Sequence, residues 1–169
     1  MDALEREKGG CSLVAEALRE WGTVKVRATG MSMLPALWPG DLLTIHSLPP
    51  ERAEPGEILL YMRQGRFFIH RMVGKNLAVS EAEPFLITRG DCTPGNDPPV
   101  SGSELLGKVT EVRRAGAVFV PATKLSPLHR IAAYAFCHCG LFRRAWLRIW
   151  ERYHSGNGRS EPARVKAAS

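Results

Sequence analysis

The chain has 169 residues, enough for one domain with its own hydrophobic core and a further segment. Hydrophobic residues make up 44% of the sequence and charged residues 24%, a globular composition that excludes a fibrous or wholly disordered chain. The formal net charge of +6 favours anionic partners. The 16 glycines and 12 prolines favour a β-rich domain with many turns over a helical bundle.

Residues 11–21 predict a short N-terminal helix, because apolar side chains recur there every three or four positions and Gly22 is a suitable stop. The residues before it are charged and lack an apolar stretch, so no signal peptide is expected. No run of 18 apolar residues occurs, so no ordinary transmembrane helix is predicted either.

Short strands separated by turn residues are predicted from residue 23 onward. Alternating or short apolar runs predict strands over 23–28, 42–45, 57–62, 66–73, 85–88, 106–113 and 117–120. Gln64-Gly65 and Ala115-Gly116 are expected hairpin turns, and residues 89–103 are expected to form a loop. The prediction is a mainly β protein whose residues 11–121 form a coiled antiparallel β-domain.

Residues 124–153 predict a long, basic amphipathic helix. Its apolar face is expected to include Leu125, Leu128, Ala132, Ala135, Phe142, Trp146 and Ile149. This helix either packs on the β-domain or lies on an anionic membrane surface, and the polar residues 154–169 are predicted to be disordered. The expected location is the cytoplasm or the membrane periphery, and nucleic acid is not an expected partner.

Ser32 lies in a Gly- and Pro-rich turn after the first predicted strand. A serine nucleophile needs an exposed hydroxyl and a nearby backbone N–H for the oxyanion. Gly30 permits close approach of a substrate chain, while Pro35 and Pro39 stiffen the loop. These residues alone leave a purely structural turn as the alternative.

The segment G-M-S-M-L-P-A-L-W-P-G-D at 30–41 resembles the nucleophile box of signal peptidases and LexA-type peptidases. The resemblance implies a β-domain of that type with Ser32 as nucleophile. The residues that would support the loop and the oxyanion are Gly30, Met33, Pro35, Gly40 and Asp41.

Two further segments extend the resemblance in the same order along the chain. F-I-H-R-M-V at 68–73 is similar to the branch of archaeal and endoplasmic-reticulum signal peptidases that uses a histidine, which implies His70 as the base. T-R-G-D-C-T-P-G-N-D at 88–97 resembles the aspartate box, which implies Asp97 as the partner of His70, with Asp91 as loop brace or alternative. Lys75, expected in a turn at 74–76, is the suspect if the base were a lysine.

The sequence therefore predicts a serine endopeptidase that cleaves a leader, signal or precursor peptide. The alternatives are a LexA-type self-cleaving regulator and an inactive peptidase fold that serves as a binding module. No cofactor is expected. No metal site is expected either, since Cys137-His138-Cys139 has no second pair of ligands.

Overall fold

The computed structural model describes residues 3–76 and 85–138. The predicted helix beyond His138 and the predicted tail lie outside these residues. The helices are α1 (Ala3–Trp21) and α2 (Pro127–His138), and a 3₁₀ turn spans Pro50–Arg52. The strands are β1 (Thr23–Arg27), β2 (Leu42–Ser47), β3 (Ile58–Arg63), β4 (Arg66–Asn76), β5 (Phe85–Arg89), β6 (Val100–Ser101), β7 (Leu105–Arg114) and β8 (Ala117–Phe119). The prediction of a mainly β protein is confirmed.

The described strands form one antiparallel sheet in the order β1-β2-β7-β3-β4-β5-β6, with β8 paired to β7. The two predicted hairpin turns have positive φ at both central residues, 52° and 75° at Gln64-Gly65 and 48° and 87° at Ala115-Gly116. Such turns match the twist of the strands they join. The predicted loop over 89–103 contains the two-residue strand β6, which was missed because so short a run carries no periodicity.

Strand β4 lies between β3 and β5 and carries the His70-Arg71 pair of the sequence motif. His70 is opposite Leu59 of β3, and Arg71 is opposite Arg89 of β5. The prediction of a turn at 74–76 is wrong, because β4 continues to Asn76. Lys75 donates from Nζ to the carbonyl oxygens of Glu51 and Ala53.

Helix α1 begins at Ala3, well before the predicted start at residue 11. The earlier residues A-L-E-R-E-K are good helix formers, and they outweigh the cost of the following glycines. Cys11, Ala15 and Leu18 are buried against one face of the sheet. Gly22, with φ of 71°, ends the helix as expected.

The sheet has an apolar layer on each face. The larger layer lies under α1 and includes Val26, Leu43, Ile45, Leu60, Phe67 and Val112. The smaller layer lies on the opposite face and includes Leu59, Tyr61, Met72, Leu86 and Val100. Both faces of the central strands are thus covered, because alternate residues enter different layers.

Helix α2 packs on the loop after β1 through Phe136 and through Ala132, which was expected on its apolar face. Phe136 is buried although it was not among the residues expected on that face, and Leu128, which was, is 78% exposed. The Phe136 ring meets the Trp38 ring edge-on, with centroids 5.9 Å apart. This contact sets the rotation of the helix, which the spacing within the helix could not reveal.

Candidate active site

The loop that carries Ser32 is tied back on itself by main-chain hydrogen bonds. The N–H of Ala28 donates to the carbonyl of Asp41, and the N–H of Gly40 donates to the carbonyl of Ala28. Gly40 has φ of 97°, which a residue with a side chain rarely adopts. These bonds close residues 28–41 into one compact loop at the end of β1.

Asp41, expected among the residues that support the loop, is buried at its C-terminal end. Its buried carboxylate accepts the N–H of Trp38 at 2.7 Å and a two-pronged hydrogen bond from Arg114 at 2.6 and 2.8 Å. Trp38 Nε1 donates in turn to the carbonyl of Pro35 at 2.9 Å. A buried, fully partnered carboxylate fixes the path of the chain on either side of it.

Ser32, His70 and Asp97 form a continuous chain of hydrogen bonds. The Ser32 Oγ lies 2.9 Å from His70 Nε2, and His70 Nδ1 lies 2.6 Å from Asp97 Oδ2. The imidazole is buried beneath the loop, with 6% of its side chain exposed. The three residues that the sequence motifs singled out are thus in direct contact, although they lie far apart along the chain.

The protonation of this chain follows from Asp97. Burial by itself would raise the pKa of the Asp97 carboxyl, but hydrogen bonds from His70, Thr88 and Tyr61 together hold that pKa below its usual value. An ionised carboxylate only accepts, so Nδ1 of His70 carries a proton. In the neutral imidazole Nε2 is then an acceptor that faces the Ser32 hydroxyl.

Asp91 does not contact His70, so its inclusion among the candidate catalytic residues is corrected. Its carboxylate accepts from Nε and Nη2 of Arg71, both at 2.8 Å. Nη1 of Arg71 donates at 2.7 Å to the carbonyls of Gly56 and Ala122. Arg71, the residue that follows His70, thus binds both the loop that carries Asp91 and the segment before α2. This is the bracing role that the sequence left open for Asp91.

Gly90 allows the loop that carries Asp91 and Asp97 to approach the loop that carries Ser32. A Cβ placed at Gly90 would lie 2.8 Å from the Ser32 carbonyl oxygen and 3.0 Å from Ser32 Cβ. The Cys92 N–H donates to that same carbonyl at 2.8 Å. A glycine at this position is therefore required for the two loops to meet.

A small apolar pocket of about 20 Å³ opens beside Ser32. Gly30 and Met33, both predicted supports, line it together with Ala28, Leu37, Phe67 and Ile69. Pro35 lies instead at a larger apolar groove of about 420 Å³ between the serine loop and α2. The two cavities share no lining residue.

Four residues of the site received no role from the sequence. Thr88 and Arg71 lie inside the recognised motifs, but nothing in those motifs showed what they contact. Tyr61 and Arg114 lie outside the motifs, and only the strand register could have placed them. Among the residues that the structure describes, no cluster of three metal-ligating side chains occurs.

This arrangement can move a proton from the Ser32 hydroxyl to an imidazole oriented by a carboxylate. Comparison with protein-family models finds no match for the chain, and no curated protein matches it.

Proposed function

We propose that the protein is a serine endopeptidase of the signal-peptidase and LexA type. The observation that carries the proposal is the unbroken chain from Ser32 Oγ through His70 to Asp97, at 2.9 and 2.6 Å. A nucleophile, a base and an orienting carboxylate in this order are the requirements for acyl transfer from a peptide.

The reaction then follows from the three side chains. Ser32 Oγ attacks the scissile carbonyl carbon while Nε2 of His70 takes its proton, and the carbonyl oxygen becomes an oxyanion. The backbone N–H of Ser32 is the donor expected to face that oxygen. His70 next returns the proton to the leaving amine. Water then attacks the acyl-enzyme while His70 takes its proton, and His70 finally returns that proton to the Ser32 oxygen. Asp97 remains ionised throughout.

The pocket beside Ser32 favours a small side chain on the residue whose carbonyl is attacked. Its volume is only about 20 Å³ and its lining is mainly apolar, so it favours a small apolar side chain. Strand β1 forms one end of the sheet, and a peptide extended along residues 27–30 would add to that edge. A leader, signal or precursor peptide with a small residue at the cleavage site is therefore the proposed substrate class.

Self-cleavage of the LexA kind is not favoured at the Ala-Gly pair that the sequence offers. Ala115 and Gly116 form the tight β7–β8 turn, where both have positive φ. A scissile segment must enter a protease site in an extended conformation, which this turn cannot supply without breaking the hairpin. The inactive binding module remains the alternative that the experiment below tests directly.

An anionic membrane surface is the proposed second partner. On α2, the apolar or aromatic residues Leu128, Ile131 and Tyr134 are 78%, 67% and 68% exposed. The sequence has no acidic residue between Glu111 and Glu151. The cations in this interval are Arg113, Arg114, Lys124, Arg130, Arg143, Arg144 and Arg148. An apolar helix face within so basic a segment complements a negatively charged bilayer. In the part of the chain that the structure describes, no helix has the length and apolarity to cross a bilayer.

Labelling with a fluorophosphonate tests the proposal, since only an activated serine displaces fluoride from phosphorus. We expect wild-type protein to be labelled, and Ser32→Ala to abolish labelling and to lower peptide cleavage on the order of 10⁶-fold. Ser126→Ala is the matched control, because the Ser126 hydroxyl also lies 2.7 Å from an imidazole nitrogen, that of His129. Failure of the wild type to react, or equal labelling of Ser32→Ala, would favour the binding module.

A further inference from the structure

Asp97 is held by more than His70. Its Oδ2 accepts from three side chains on three neighbouring strands: His70 Nδ1 on β4 at 2.6 Å, Thr88 Oγ1 on β5 at 2.7 Å and Tyr61 Oη on β3 at 3.3 Å. The Asp97 N–H also donates to the Thr88 carbonyl at 2.8 Å. The main chain and the side chain of Asp97 are therefore both bound to Thr88.

The strand register explains why these donors converge. Tyr61 lies opposite Phe68, and Thr88 lies opposite Met72. Phe68 and Met72 are each two positions from His70, so Tyr61, His70 and Thr88 share one face of the sheet. Three side chains of this face thus point at the same carboxylate, which reaches them from the loop after β5.

Both hydroxyls are placed to donate permanently. Thr88 is fully buried and Tyr61 is 2% exposed, so neither can exchange its partner for bulk water. The Tyr61 ring stacks on Phe68 with centroids 5.3 Å apart. Burial raises the pKa of Tyr61 to about 12, so its proton is retained over the whole range in which an imidazole base works.

We propose that Thr88 and Tyr61 are positioning residues of the active site, which act on the reaction by fixing the orientation of the Asp97 carboxylate. The kinetic part of this inference rests on the proposed peptidase function. With Oδ2 held by both hydroxyls, the carboxylate stays ionised and points at Nδ1 of His70. The imidazole is then kept in the tautomer and the plane that present Nε2 to Ser32. Both hydroxyls donate to Asp97, so the effect of removing a hydroxyl passes through that carboxylate, whereas the edge-on contact of the Tyr61 ring with the imidazole is kept in Tyr61→Phe.

Kinetics of conservative variants test the role. Thr88→Val removes the hydroxyl and keeps the β-branched shape, and we expect a fall in kcat of about 10- to 100-fold with KM unchanged. Tyr61→Phe should lower kcat by less, about 3- to 10-fold, because its hydrogen bond is longer. Thr88→Ser restores a hydroxyl and should recover most of the wild-type kcat. Thr110→Val is the matched control, because the Thr110 hydroxyl donates to the Thr44 carbonyl away from the site, and it should leave kcat unchanged.

A double-mutant comparison separates positioning from a general loss of structure. In an Asp97→Ala background, Thr88→Val should have almost no further effect on residual turnover, since the carboxylate that it orients is gone. A fall in kcat of the same size in both backgrounds would overturn the inference. So would an unchanged kcat for Thr88→Val in a protein whose wild type is active.

Proton NMR provides a readout that does not depend on activity. Because His70 Nδ1 lies 2.6 Å from the Asp97 Oδ2 atom, the Nδ1 proton should give a resonance downfield of the amide region in wild type and in Thr88→Ser. Thr88→Val should lose it to solvent exchange while urea unfolding still reports a folded protein. If Thr88→Val keeps the wild-type resonance, the inference is wrong whether or not the protein cleaves peptides. If the resonance behaves as expected but no peptide is cleaved, the peptidase proposal alone fails.

Discussion

Asp91 and Asp97 belong to one loop, but their surroundings give them different roles. Asp91 is 3% exposed at its side chain and bound only within a pair with Arg71, whereas Asp97 contacts the imidazole. A buried ion pair that loses one partner leaves an unpaired charge in the protein interior, which is strongly destabilising. A carboxylate that orients a base contributes mainly to the rate.

These roles predict opposite effects for two asparagine substitutions. Asp91→Asn should lower the free energy of unfolding by about 3–5 kcal/mol, because Arg71 is left buried without its counter-charge. Asp97→Asn should lower kcat on the order of 10⁴-fold, since the amide cannot hold the required tautomer of His70, and should change stability far less. Urea unfolding and steady-state kinetics on both variants check this, and a reversed pattern would place Asp91 in the catalytic group.

The motifs predicted the identity of the three central residues but not the groups that surround them. Ser32, His70 and Asp97 lie in segments with recognisable residue types at recognisable spacing. Tyr61 and Thr88 reach the carboxylate only because of the register of two strand pairs, which no local pattern in the sequence encodes.

At the level of elements, Arg63 of β3 binds both the loop that carries Asp97 and the turn between β6 and β7. Arg63 binds the Glu104 carboxylate with two hydrogen bonds of 2.6 and 2.7 Å and donates to the carbonyls of Pro98 and Pro99. The hydrogen bond from Arg63 is the main reason that the pKa of Glu104 lies below its usual value. The pair therefore stabilises the fold only where Glu104 is ionised.

This lowered pKa predicts a pH-dependent effect of Glu104→Gln. A group whose pKa is lower in the folded state contributes stability above its ordinary pKa and loses it as the pH falls through the folded value. At pH 7 the variant should be less stable by about 1–2 kcal/mol, and the difference should shrink as the pH falls below the ordinary value of 4.5 toward the lower folded-state pKa. Urea unfolding from pH 7 to pH 3 measures it, and Glu111→Gln is the charge-matched control. A difference that is as large at pH 3 as at pH 7 would contradict the pair as its cause.

Helix α2 should support the serine loop through Phe136. This ring packs with Trp38, Leu34 and Cys92, and the Cys92 N–H holds the Ser32 carbonyl. Phe136→Ala should lower the free energy of unfolding by about 3 kcal/mol and should also slow fluorophosphonate labelling. The exposed Tyr134 on the same helix provides the control, Tyr134→Ala, which should do neither. If Phe136→Ala lowers the free energy of unfolding but is labelled as fast as the wild type, helix α2 does not support the serine loop.

The helices were less predictable than the strands. Period-two alternation and two-residue turns located the hairpins because both signals are local. The start of α1 and the buried face of α2 depend on what each helix meets. In α2, Ala132, Phe136 and Cys137 pack in one cluster with Trp38, a residue far away in sequence.

For the whole molecule, the exposed apolar residues of α2 predict binding to anionic vesicles. We expect the full-length protein to sediment with anionic vesicles and not with neutral ones, and to be released by salt, because each basic residue near the surface contributes about 1 kcal/mol. Ile131→Glu should weaken the binding. Leu13→Glu, a change of an equally exposed apolar residue on α1, should not. If the full-length protein does not sediment with anionic vesicles at low salt, the proposal that these residues bind a membrane is wrong.

The position of β1 at the end of the sheet also bears on how the molecule behaves in concentrated solution. An unpaired edge offers its N–H and C=O groups to any extended chain, including the same edge of a second copy. Lys25 and Arg27 lie two positions apart on this short strand, so both side chains lie on the same face. Two copies brought edge to edge would set these cations against each other, whereas a single peptide strand would meet no such repulsion. The edge that is proposed to receive substrate is thereby protected from self-association, and Lys25→Val should increase the tendency to aggregate.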